Sequence, residues 1–159
     1  MTRATHVLVL ANRTTDSDAL LDALRARAAR GPATFTLVVP EITTAARGRL
    51  ESALQRMTEE GLAVTGKLAN GDPMVALVEN YDPKLHDEVI VATLPTGSSA
   101  WLGIDLPHRI TRHTGAPVHH VVVEQPRQHP VLTPVEEAHH EAHHAPGPMS
   151  AIGSLFPRP

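Results

Sequence analysis

The chain has 159 residues, a formal net charge of −3 and no cysteine. That length suits one ordinary domain with its own core plus a tail. The charge offers no global attraction to nucleic acid or an acidic membrane surface, and the absence of thiols excludes disulfides, thiolate metal sites and cysteine nucleophiles and fits a reducing cytoplasm.

The first apolar run, Val7 to Ala11, is too short to span a bilayer or to form the core of a signal peptide. No membrane partner and a cytoplasmic location are therefore expected. Further runs at Phe35 to Val39, Val89 to Ala92 and Val121 to Val123 are near-continuous and rich in β-branched residues, as in strands buried on both faces of a parallel sheet. A fifth stretch, Ala63 to Leu68, alternates and belongs nearer an edge. Aromatic residues make up only 3%, so the core is aliphatic and base-stacking platforms for nucleic acid cannot be assembled.

Helical patterns fill the gaps. Ala19, Leu20, Ala23, Leu24 and Ala28 make one apolar stripe, with Thr15 or Asp16 as the N-cap and Gly31-Pro32 as the stop. A second helix runs from about Thr43 to Glu60, turning Leu50, Ala53, Leu54 and Met57 inward, with Gly61 just beyond it. A third spans Asp72 to Asn80, with Asp72 as cap and Pro73 at the first helical position, where a missing N–H costs nothing. The fourth, Leu106 to His113, starts from Asp105 as its cap and closes at Gly115. Strand and helix alternate throughout, which predicts a single doubly wound α/β domain over residues 1–124, with right-handed crossovers and helices on both faces of a parallel sheet. From Gln125 to Pro159 the chain is rich in proline and histidine without a strand-like run, a composition that predicts a disordered tail.

The segments Asn70-Gly71-Asp72-Pro73, Asp87-Glu88-Val89-Ile90-Val91-Ala92 and Arg109 to Val118 together resemble the universal stress protein family, over roughly residues 5–123. The resemblance implies a five-stranded sheet of order 3-2-1-4-5, a homodimer through the last strand, and a nucleotide such as ATP or AMP as ligand. Nucleotide-binding members carry a loop after strand four with glycines that bring backbone N–H groups to the phosphates, ending at a helix N-terminus. Placed by the closing segment, those signature positions fall on Val91, Leu94, Ile104 and Asp105, none of which matches. Asp105 sets a carboxylate where the phosphate should lie, and like-charge repulsion in a partly shielded site costs on the order of several kcal/mol. The usual mode of holding a triphosphate is therefore not expected.

Pro95-Thr96-Gly97-Ser98-Ser99 supplies a glycine and hydroxyls just after strand four, either as a displaced anion nest or as a plain polar turn. Asn12 stands where relatives place an aspartate near the adenine or ribose, and is a candidate ligand contact or simply a turn former. Trp101 is read as an apolar lid over the sheet end or as part of a partner-binding patch. His119 and His120 should face opposite sides of the last strand. Asp105 and His108 resemble an orienting carboxylate and base in form only, since capping explains the aspartate. In the tail, His139 with His143 and His140 with His144 have the i,i+4 spacing of a divalent-metal site on a helix. The apolar island Met149 to Phe156 is a candidate docking peptide for a protein partner. Two functions follow as expectations: a non-enzymatic, stress-protein-like binding dimer with weak or altered nucleotide recognition, or an ATP- or AMP-binding regulatory domain that uses a degenerate loop.

Overall fold

The computed structural model describes residues 2–95 and 100–124. The elements run β1 (Thr5–Leu10), α1 (Asp18–Ala29), β2 (Ala33–Val39), α2 (Thr44–Glu59), β3 (Ala63–Leu68), α3 (Pro73–Asn80), β4 (Glu88–Thr93), α4 (Ala100–Gly103), α5 (Leu106–Thr114) and β5 (Val118–Val122). All five strands pair in parallel in the order β3-β2-β1-β4-β5.

Because successive side chains on a buried strand point to opposite faces, each central strand feeds two cores. Val7 and Val9 of β1, with Ile90 and Ala92 of β4, pack against Leu20, Leu24, Leu50, Ala53 and Met57 of α1 and α2. Leu8, Leu10, Val89 and Val91 pack on the other side, against Ala76 and Leu77 of α3 and Leu106 and Ile110 of α5. The alternating β3 is an edge strand, half-buried only on every second residue, and β5 forms the opposite edge.

Where a cap is chemically local, sequence and structure agree. Thr43 accepts from the Ala46 N–H at 3.0 Å, and Asp72 accepts from Met74 and Val75 at 2.8 and 3.0 Å. Gly61 and Gly115 close α2 and α5 at φ +81° and +66°, a conformation that a side chain would disfavour.

Two caps differ from expectation. α1 is capped by Ser17, whose hydroxyl accepts from the Leu20 N–H at 3.2 Å. The hydroxyl of the buried Thr15 is instead spent on the Asn12 carbonyl, and the Asp16 carboxylate takes Arg56 at 2.7 Å. Asp105 does not cap α5 through its side chain. It sits in the left-handed region at φ 52°, ψ 46°, away from the extended backbone that aims a capping side chain at the first turn. The N2 position of α5 is Pro107, which has no N–H to give.

Candidate functional site

The chain order fixes where a crevice opens. From β1 the connections run outward through β2 to β3, and the chain then returns to lay β4 on the other side of β1. The β1 and β4 crossovers therefore diverge, and a parallel sheet leaves its ligand crevice at the carboxyl ends of two such strands.

A cavity of about 300 Å³ lies at that point, lined by Asn12, Arg13 and Thr14 after β1, Ala92, Thr93 and Leu94 at the end of β4, and Ala100 and Trp101 of α4. The loop after β1 is tied down on both sides of Arg13. Thr14 is buried and its hydroxyl donates to the Ala92 carbonyl at 3.1 Å, which stitches the loop to β4 across the crevice. The Asn12 side-chain oxygen accepts from Arg49 Nη2 at 3.1 Å, and the same guanidinium donates to Glu41 at 2.9 Å. The Thr43 hydroxyl, which donates to Glu41 at 2.9 Å, is the main reason that this carboxyl is held below its ordinary value, with Asn12 and Arg49 acting the same way against the opposing effect of desolvation. Glu41 and Arg49 thus satisfy each other. Arg13 is exposed and has no acidic partner among the described residues.

Thr93 is buried, and its hydroxyl lies 2.6 Å from His120 Nε2 on β5. Desolvation lowers the pKa of that imidazole and favours its neutral form. His119, on the other face of the strand, lies 3.6 Å from Glu88. Trp101 packs against the core formed with α3 and α5 while lining the cavity.

Of the sequence candidates, Asn12 lines the cavity, but its side-chain oxygen is already engaged. Pro95 is half-buried beyond the lining residues, and Asp105 is exposed and does not line the cavity. Thr96, Gly97, Ser98 and Ser99 lie outside the described residues, as do His139, His140, His143, His144 and the Met149 to Phe156 island. Among the described residues no cluster of three or more metal-ligating side chains occurs, and no helix is long and apolar enough to cross a membrane. Arg13 was not singled out from sequence. Its signal was its place as the sole cation in the loop that follows β1.

In fold, the chain is similar to a universal stress protein solved in complex with cAMP. The TM-score is 0.57 and the identity 22%, over 76% of this chain and 98% of that one. Likeness at this identity establishes the shared architecture, a universal-stress-protein-like α/β fold. No protein-family model matches the chain, and no curated protein does.

Proposed function

We propose that this chain is a non-enzymatic binding and regulatory domain of the universal stress protein type, whose crevice between β1 and β4 takes a nucleotide in an altered mode. The observation that carries the reading is the cavity of about 300 Å³ at the carboxyl ends of these two strands, walled by an aromatic ring, two hydroxyls and a cation. That volume is at the small end of ligand pockets, which run from roughly 300 to 1,000 Å³, and so favours a mononucleotide over a triphosphate. The solved structure of similar fold holds cAMP. A binding role rather than catalysis is supported by the lining residues, since none of those described is a carboxylate, histidine or lysine able to serve as a general base.

The alternative, an ATP- or AMP-binding regulatory domain that keeps the usual ligand through backbone contacts, differs in its rank order of ligands. Isothermal titration of the full chain with AMP, cyclic AMP and ATP with magnesium separates the two. The proposal expects AMP or cyclic AMP to bind and ATP to bind no better. Tighter binding of ATP favours the alternative, and no heat with any of them removes both.

The same reading includes a cytoplasmic homodimer. Its support is that β5 is an edge strand carrying an exposed Val122, a row of unpaired backbone groups that a second copy can satisfy. Sedimentation at micromolar concentration should find a dimer, and a monomer would remove this part.

A further inference from the structure

The structure raises the question of what holds the anion when the signature positions of the usual phosphate loop are Val91, Leu94, Ile104 and Asp105. The two other charged groups beside the crevice, Arg49 and Glu41, neutralise each other at 2.9 Å. Asp105, at the start of α5, is exposed and does not line the cavity. Arg13 remains. It lines the cavity, it is the one formally charged residue among the described lining residues, and it makes no ion pair within the described chain. Its backbone is also held on both sides, through the Thr14 hydroxyl on the Ala92 carbonyl and the Arg49 bond to Asn12. An unpaired guanidinium carried on an anchored loop pays little further ordering entropy when it binds, and its planar donors match a phosphate bidentately.

We infer that Arg13 is the anion anchor of this cavity, replacing a backbone phosphate nest with a single side-chain cation, and that the site selects a ligand with one phosphate group attached to an aromatic ring system. Trp101 forms the aromatic part of the same wall and offers the ring a stacking surface. One cation balances the charge of a phosphate diester and most of that of a monoester, which carries about −1.5 to −2 at neutral pH. A triphosphate brings further charges for which the described lining residues provide no counterpart. This inference rests on the proposed nucleotide reading of the crevice and deepens it.

Trp101 is the only tryptophan in the chain, so its emission reports on the cavity wall directly. The test is a fluorescence titration of the full chain with adenosine, AMP, cyclic AMP and ATP with magnesium, for the wild type, Arg13→Gln and Arg13→Lys. Wild type should prefer AMP over adenosine by about tenfold or more, the effect of a charge-assisted hydrogen bond. In Arg13→Gln that preference should fall to within about threefold of unity, while Arg13→Lys keeps a reduced preference because the charge stays but the bidentate fork is lost. A circular dichroism spectrum identical to wild type secures the comparison. If the preference survives intact in Arg13→Gln, the anion is held elsewhere and the inference is overturned while the nucleotide reading stands. If neither adenosine nor any nucleotide perturbs Trp101 and none binds by calorimetry, the nucleotide reading fails and the inference with it.

Discussion

The two ends of the sheet carry hollows of nearly equal size and opposite chemistry. At the amino end, a hollow of about 290 Å³ is lined by Arg3, Ala4, Thr5, Asp87, Glu88 and Pro117, and its charges are matched. Glu88 accepts from Arg27 Nε and Nη2 at 2.8 and 3.0 Å, with His119 at 3.6 Å, while Asp87 accepts from the His6 N–H at 2.9 Å and faces Arg3 at 3.6 Å. At the carboxyl end, a hollow of about 300 Å³ has one cation and no carboxylate among its described lining residues. Charges that satisfy one another hold elements together. A cation placed on an anchored loop without a partner is a vacancy for an anion, and size alone would not have told these two hollows apart.

Breaking the amino end should have the larger effect on stability. The Arg27 and Glu88 side chains are only 12% and 18% exposed, so Glu88→Ala leaves a guanidinium largely desolvated and unpaired. Removing one partner of a fully buried pair costs 3–5 kcal/mol, and the residual solvent contact here brings the expected loss to about 2 kcal/mol. Arg13→Gln at the other end should change stability by less than about 0.5 kcal/mol, as an exposed charge without partners does. Urea denaturation of the two variants measures the contrast, and equal losses at the two ends would erase it.

The amino end also predicts a pH dependence. The hydrogen bond from Arg27, followed by its charge, holds the Glu88 carboxyl below its ordinary value of 4.5. The folded chain therefore gives up this proton more readily than the unfolded chain. The stabilisation is fully present above about 4.5 and is lost as the pH falls through the lowered folded value. Glu88→Gln should flatten that part of the acid unfolding profile, and an unchanged profile would show that the pair is not its source.

A smaller effect, of opposite sign, is expected at the carboxyl end. Asp105 is the one non-glycine residue at positive φ among those described, and its side chain caps nothing. Asp105→Gly relieves the backbone and removes a carboxylate from the helix start, at the cost of a more flexible unfolded chain. A net gain of about 0.5 kcal/mol is expected. A loss of 1 kcal/mol or more would mean that the aspartate makes a contact the local geometry does not account for.

The strands were legible because burial on both faces demands unbroken β-branched runs, and the marginal run Ala63 to Leu68 alternates because it is an edge. Strand alternation and the closing segment led to the order β3-β2-β1-β4-β5, and the order alone locates the crevice. Caps built from neighbouring atoms, such as Thr43 and Asp72-Pro73, were legible too. Ser17 and Asp105 were not, because each depends on how a loop closes in space: Thr15 turns back onto Asn12, and Asp105 adopts a left-handed backbone before a proline. The site was legible only in part. Asn12 and Trp101 stand out by type and position, but the significance of Arg13 comes from where Glu41 points, toward Arg49 and Thr43, and nothing in the linear spacing of these residues encodes that.

The central claim is that nucleotide recognition belongs to the carboxyl end of β1 and β4, and amide chemical-shift mapping of the labelled full chain on addition of AMP tests it most directly. The account predicts shifts at Asn12, Arg13, Thr14, Thr93, Leu94 and the Trp101 indole, with Arg3, Thr5, Asp87 and Glu88 unmoved. Shifts centred on the amino-end residues, or none at saturating AMP, would contradict it.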